Sequence, residues 1–275
     1  MKSANARVAV ITGAAGGLGS ALTRELAKRG WNLALVDIDS EKLAELVGTL
    51  ASSNNYITAH VADLRNSDQI AALTQEVKGK HGSVHCLINN AGITLQKSIE
   101  SHSIEDWRRV FDLNFWATVS LCQVFLPILK EHSRANIVNI SSMAACYGMP
   151  SQSSYSSSKA AVQAFSESLR VELSSYGIGV TCILPGAINT DMIKATLSES
   201  DDIAQAKKNL ALAQRFGIPP EKAAKCIIDA FERNRRQKYV GIDARVFNWM
   251  VKLCPGLVSA VFANTYQSVN KVNPT

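Results

Sequence analysis

The sequence predicts an α/β chain: one doubly wound parallel sheet with helices on both faces. Three observations carry that prediction. Short apolar, β-rich runs alternate with longer stretches of helical period, the pattern of right-handed β-α-β crossovers. Several of the short runs lack polar alternation: Val8-Ala9-Val10-Ile11 and Leu33-Ala34-Leu35-Val36 are apolar throughout, as strands covered on both faces must be. A glycine-rich turn directly follows the first run.

The strands are expected at 7–12, 32–37, 57–61, 86–89, 136–141 and 179–184, and the helices at 17–29, 40–51, 67–81, 103–132 and 155–176. Ser40 is the expected N-cap of the second helix. Pro127 falls late in the fourth and is expected to kink or end it. No repeat or low-complexity linker interrupts the series. Residues 1–241 read as a single catalytic unit, with 242–275 as a helical extension packed on it.

Composition bounds the function. Of 275 residues, 47% are hydrophobic and 19% charged, which excludes a disordered or collagen-like chain. The net charge of +6 favours anionic partners such as nucleotides but is too dispersed to argue for nucleic acid. The six cysteines contain no CxxC pair, and a chain this long does not need disulfides, so they read as reduced and mostly buried. The five histidines form no HExxH arrangement, and no metal is expected. Lys2 and Arg7 before an apolar stretch imitate a signal peptide, but Gly16, Gly17 and Gly19 would weaken an inserted helix. No uncharged apolar run approaches the roughly 18–20 residues of a bilayer span, so a cytoplasmic, soluble protein is expected.

The turn Thr12-Gly13-Ala14-Ala15-Gly16-Gly17-Leu18-Gly19 lies between a strand and a helix. Glycines there let the backbone approach a pyrophosphate, and the helix start offers free N–H groups and partial positive charge. Gly13, Ala15, Gly17, Leu18 and Gly19 are therefore cofactor-binding candidates. Asp37 ends the second strand, about 20 residues on, where a carboxylate accepts from the adenosine ribose hydroxyls of NAD and repels a 2′-phosphate. Ile38, not a basic residue, follows it. NAD(H) is favoured, with NADP(H) as the alternative.

Four further clusters fall in order along the chain: Asn89-Asn90-Ala91-Gly92, then Asn114, Ser141-Ser142 and Tyr155-Ser156-Ser157-Ser158-Lys159. Tyr155 and Lys159 share a helix face. A tyrosine, with its ordinary pKa of about 10, is a poor base at neutral pH, and a nearby ammonium lowers that value. Tyr155 is thus the expected general acid/base, Lys159 the charge beside it and Ser142 the donor that holds the substrate oxygen.

The TGxxxGxG pattern of Thr12, Gly13, Gly17 and Gly19, the NNAG motif, Ser142 thirteen residues before Tyr155 and YxxxK jointly resemble the short-chain dehydrogenase/reductase family. The resemblance covers roughly residues 7–190. Gly13, Gly16 and Gly19 also satisfy the TGxxGxxG of the extended, epimerase-like subfamily, but NNAG, Asn114 and the chain length match the roughly 250-residue dehydrogenases. The resemblance implies a Rossmann fold, NAD or NADP as cofactor and a homodimer or homotetramer with the helices near 103–132 and 155–176 at the interface. It implies that Lys159 also binds the nicotinamide ribose and that Asn114 holds a water linking Lys159 to solvent. Asp63 and Leu64 would touch the adenine, and Asn90, Ala91 and Gly92 the adenosine ribose side. Pro185-Gly186 matches the family's PG motif, and Ile188 and Thr190 would approach the carboxamide and phosphates. Asp63 has a competing role as a turn residue.

The segment 187–216 corresponds to a mobile lid in relatives. Ile93, Leu95, Ala144, Cys146, Met149, Gln152 and Met192 are candidate pocket residues, mostly apolar, which points to a hydrophobic secondary alcohol or ketone of steroid-, retinoid- or lipid-like kind. A non-catalytic nucleotide-binding regulator is the rival reading, and the intact Ser142, Tyr155 and Lys159 argue against it. Beyond Gly241, Val246, Trp249, Met250 and Leu253 form one apolar stripe, continued past Pro255 by Leu257, Val258, Val261 and Phe262. With Arg233, Arg235, Arg236 and Lys238 upstream, the tail has the makings of a membrane-surface contact. Amphipathic helices usually face a core, so packing on the pocket or a partner subunit is the preferred expectation.

Overall fold

The structure is a computed structural model and describes residues 7–270 except Ser52, Ile193 and Asp202. Strands β1 (Val8–Thr12), β2 (Asn32–Asp37), β3 (Ile57–Val61), β4 (Cys86–Asn89), β5 (Ala135–Ile140), β6 (Ile178–Pro185) and β7 (Gln237–Val240) form one seven-stranded sheet. Its order is β3-β2-β1-β4-β5-β6-β7, and every pairing is parallel. The helices are α1 (Gly17–Lys28), α2 (Ser40–Thr49), α3 (Ser67–His81), α4 (Ile104–Phe111), α5 (Ala117–Leu129), α6 (Ser153–Glu172), α7 (Ile203–Phe216), α8 (Pro220–Glu232), α9 (Ile242–Leu253) and α10 (Pro255–Asn270). This is the doubly wound, Rossmann-type architecture the sequence predicts.

Successive strand side chains serve opposite faces. Ala9 and Ile11 join Leu22, Leu26, Trp31, Ile227 and Phe231 in one core layer. Val10 joins Val77, Leu121, Phe125 and Leu129 in the other. Both layers exclude water, which explains why β1 and β2 carry no polar alternation. Strand order reverses between β1 and β4, and in open α/β sheets ligands bind at such a switch point, beyond the carboxyl ends of the strands.

The differences from expectation are local. The N-cap of α2 is Asp39, not Ser40: the Asp39 carboxylate accepts the Lys42 N–H at 3.0 Å. The region 103–132 is one helix from Ile104 to Leu129, but it carries a π turn over Asp112–Trp116 between α4 and α5. Pro127 sits two residues before the end of α5 and ends it without a separate break. Strand β7, with Gln237 and Lys238 among its four residues, has no apolar signature, and the sequence reading missed it. Helices α7 and α8 were likewise unassigned. By length and composition alone the helix Ile104–Leu129 is long and apolar enough to cross a bilayer, which qualifies the expectation that no segment is. In the fold, Val110, Asn114, Leu121, Phe125 and Leu129 on it are buried.

Candidate active site

Several site candidates lie at or just after a strand's carboxyl end, and Asn114, Tyr155 and Lys159 come from helical segments. After β1 the chain turns through Gly13, which has a left-handed φ of +61°. Gly16 caps α1 with no side-chain hydrogen bond, and Gly16 and Gly17 are exposed, so the first-turn N–H groups of α1 are left without a capping side chain. Thr190, beyond β6, closes over this turn: a Cβ on Gly17 would lie 2.8 Å from the Thr190 methyl. Leu18 is half-buried and Gly19 buried beneath them.

The NNAG motif holds the turn in place. The Thr12 hydroxyl accepts the Asn90 and Ala91 N–H groups at 3.0 and 3.1 Å. The Asn90 amide donates to the carbonyls of Thr12 and Gly13 at 2.9 and 3.1 Å. The Asn90 side chain therefore faces the glycine turn. Asn89, one residue earlier, donates to Asn139, and Asn139 to Ser166, tying β4, β5 and α6 together through buried amides.

Asp37 closes β2, and its carboxylate accepts the Ala15 N–H at 2.9 Å and the Asp39 N–H at 3.1 Å. The Ala15 N–H, a cofactor-binding candidate, is thus already used within the protein. Ile38 beside it is 60% exposed. Asp63 takes the turn role as well: its carboxylate accepts the Arg65 backbone N–H at 3.0 Å and pairs with the Arg65 guanidinium at 2.6 Å, which lowers its pKa. Leu64 is buried in the core with Val10 and Val36.

Ser142, Tyr155, Lys159 and Asn114 come together across β5, α6 and the π turn. The Ser142 hydroxyl accepts the Ala144 N–H at 3.1 Å and acts on the Tyr155 phenol by favouring its charged form. The Ser141 hydroxyl donates to the Lys159 carbonyl at 2.7 Å and pins the helix to the strand. Lys159 is buried, with Nζ 2.9 Å from the Ile140 carbonyl. The π turn places Asn114 so that it both donates to and accepts from the Ile93 backbone, at 2.9 and 2.8 Å, and donates to Ser158 at 3.0 Å. Gly92 lies beside both groups: a Cβ there would stand 3.0 Å from Asn114 Oδ1 and 3.2 Å from Lys159 Nζ. Its absence keeps the approach to the ammonium open.

Burial lowers the Lys159 pKa to about 8 and raises that of the Tyr155 phenol, although Ser142 opposes the rise. The phenol ring centroid lies 5.9 Å from Nζ. In the protein alone, then, Lys159 does not bring the phenol below its ordinary value. Desolvation sets the direction, not the ammonium that the sequence argument put first.

Pro185 pairs with Val240 at the end of β6. Beyond it, Ile188 forms a parallel bridge to Ile218, which closes the base of the segment 187–218. That segment is tied down more than a free lid would be: Arg109 grips Glu199 at 2.6 and 3.0 Å, and Ser98 and Ser101 both donate to Asp201. Ile193 lies outside the described residues. Of the pocket candidates, Ile93, Cys146, Met149 and Gln152 are half-buried and Met192 is exposed, whereas Leu95 and Ala144 are buried.

Sequence reasoning missed two groups. Asp243, in the first turn of α9, accepts the Ala187 N–H at 2.7 Å, and a Cβ on Gly186 would lie 2.1 Å from its carboxylate. It fixes the Pro185-Gly186 turn from the C-terminal extension. Tyr147, Phe247 and Phe262 form an aromatic cluster that joins α9 and α10 to the segment after Ser142. Neither has a local sequence signature, because each depends on where the extension docks.

The fold and this arrangement agree with known proteins. The chain belongs to the short-chain dehydrogenase family, whose model matches residues 7–201, and it is an oxidoreductase of that family. The SadH protein of Mycobacterium tuberculosis is 32% identical over 257 residues, 92% of each chain. The 2,3-dihydro-2,3-dihydroxybenzoate dehydrogenase of Bacillus subtilis is 32% identical over 224 residues, 82% of this chain and 86% of that one. A Burkholderia phymatum short-chain dehydrogenase/reductase solved with NAD superposes with a TM-score of 0.79 at 27% identity, covering 100% of this chain and 98% of that one.

Proposed function

We propose that the chain uses NAD(H) to interconvert a hydrophobic secondary alcohol and its ketone, with Tyr155 as general acid/base. The observation that carries this reading is the convergence of Lys159 and Asn114 on Gly92, within the same NNAG motif whose Asn90 and Ala91 brace the glycine turn ahead of α1. The site fits a dinucleotide. The first-turn N–H groups of α1 suit a pyrophosphate. Lys159 has three donors and, among the described residues, one protein acceptor, which leaves capacity for ribose hydroxyls. When bound, the nicotinamide supplies or accepts the hydride.

The chain's own residues do the rest. Ser142 holds the substrate oxygen, and Tyr155 gives its phenolic proton to that oxygen in reduction or takes it in oxidation. Asn114, locked to Ile93 and Ser158, retains one free lone pair on Oδ1 for a water that relays protons to Lys159. Half-buried Ile93, Cys146 and Met149 support an apolar substrate. Exposed Ile104, Trp116 and Val171 on α4, the π turn and α6 support pairing of subunits through those helices.

The experiment is nicotinamide absorbance with a panel of aliphatic, steroid and retinoid alcohols and ketones, using NAD(H) and NADP(H) in parallel. NAD(H) turnover should dominate, and Asp37→Ser should raise the NAD KM about 10-fold while narrowing the preference over NADP, since one bidentate acceptor is lost. Equal use of both cofactors by the unaltered enzyme would overturn the assignment of Asp37. Asp243→Ala should raise the NADH dissociation constant about 5-fold with kcat nearly unchanged, because it frees the Ala187 N–H and loosens the turn. A fall in kcat without a change in NADH affinity would show that the Pro185-Gly186 turn does not bear on the cofactor.

A further inference from the structure

The apolar stripe of the C-terminal extension faces outward and does not pack on the pocket, the first of the two packings expected for it. On α9 the side that meets the protein is made by Ala244, Phe247, Asn248 and Val251. The stripe is exposed: Ile242, Val246, Trp249 at 62%, Met250 and Leu253 at 69%. At about 100° per residue these five side chains fall within one arc of roughly 100° on the outer side. Leu257 and Val261 of α10 are exposed as well, while Val258 is buried and Phe262 closes the aromatic cluster beneath. The two helices meet at a bend of 113° and therefore do not form one straight rod.

Charge decides what this face fits. Arg245 and Lys252 are exposed, and by helical spacing they stand together on one flank of the arc, next to Trp249. Asp243 is the only acidic residue of the sequence from 242 to 275, and its carboxylate is engaged with the Ala187 backbone. The upstream cluster of Arg233, Arg235 and Arg236 does not add to the face. It lies before β7, whereas α9 leaves from the other end of that strand, about 13 Å away. In a second copy paired antiparallel across a two-fold axis this cationic flank would meet its own counterpart, with Asp243 at the opposite edge of the stripe. An anionic bilayer surface meets all three features: bulky apolar side chains, a tryptophan at the apolar edge, and cations along that edge.

We infer that the outer face of α9 and the adjoining turn of α10 is a docking surface for an anionic lipid bilayer, on which the enzyme lies without crossing it. The mode is interfacial: Trp249, Leu253 and Val246 enter the acyl boundary, while Arg245 and Lys252 reach the headgroups.

The test is flotation of the full chain with vesicles of phosphatidylcholine alone and of phosphatidylcholine with phosphatidylserine, at low and high salt. Binding to the anionic vesicles should be about 30-fold tighter than to neutral ones, the product expected of two cations near a charged surface. High salt should remove most of that difference. Trp249→Glu with Leu253→Glu should abolish flotation on both vesicles, and Arg245→Glu with Lys252→Glu should abolish only the anionic preference. These side chains are exposed and outside the catalytic set, so turnover of a soluble ketone should be unchanged and serves as the folding control. Failure of the unaltered chain to float on anionic vesicles would overturn the inference. So would flotation unaffected by the Trp249 and Leu253 changes, or sedimentation showing that those changes dissociate a dimer of a chain that binds no vesicle.

Discussion

Tyr155→Phe should lower kcat by about 10³-fold and leave the NADH dissociation constant within a factor of two. Loss of a general acid/base typically costs 10²–10⁴-fold. The middle of that range is expected for loss of the phenolic proton. The substitution removes one oxygen and keeps the ring, so packing around α6 is preserved. The pH dependence has a definite sign. Burial holds the phenol above its ordinary value and Lys159 at about 8, so at neutral pH both carry their protons. Ketone reduction, which consumes the phenolic proton, should be flat through neutral pH and fall as the pH rises past about 8, where the Lys159 ammonium is lost. Stopped-flow NADH binding and steady-state rates on the same preparation check both parts. Turnover retained within ten-fold in Tyr155→Phe would remove Tyr155 from the proton step. A reduction rate flat to pH about 10 would show that Lys159 keeps its charge when the site is loaded.

The same chemistry separates what was legible in the sequence from what was not. Strands β2, β3 and β4 and helix α3 were readable to the residue because their signals are local: apolar runs bounded by turn residues, and helix starts with a capping side chain. The site residues at strand ends were readable because motif spacing reports topology directly. Roles that depend on which neighbour uses a polar atom were not. The Ala15 N–H goes to Asp37, Asn90 goes to the glycine turn and Asp63 goes to Arg65, and each choice is made by three-dimensional neighbours. The π turn that aims Asn114 is hidden for the same reason, since one extra residue per turn leaves no compositional trace. The apolar stripe of α9 was legible as a stripe but not in its direction. Periodicity identifies an apolar face but not the side on which the rest of the protein stands, and here Phe247 and Val251, not Trp249 and Leu253, are turned inward.

Gly19→Ala should destabilise the fold by about 3 kcal/mol and weaken NADH binding at least ten-fold, while the same exchange at Gly48 should stabilise it. The contrast isolates space from chemistry. A Cβ on Gly19 would sit 1.9 Å from the Gly13 carbonyl oxygen and 2.9 Å from Ala14 Cα. Both are backbone atoms, so no side chain can swing away. The glycine turn cannot yield instead: Gly13 is held at positive φ, its carbonyl is bonded to Asn90, and its own Cα side is closed by Ala91. Either α1 shifts off the sheet or the turn opens, and both displace the N–H groups that would meet the pyrophosphate. Overpacking of this kind costs about 1–3 kcal/mol or more. Gly48 lies inside α2 with nothing within 4 Å of its added Cβ, so alanine there gains about 0.5–1 kcal/mol from backbone entropy alone. Urea unfolding of the two variants, with NADH titration of each, gives opposite signs if close approach of backbone to backbone is what Gly19 provides. Equal and small effects at both positions would mean that the turn is softer than its hydrogen bonds imply, and that the cofactor, not the protein, sets its shape.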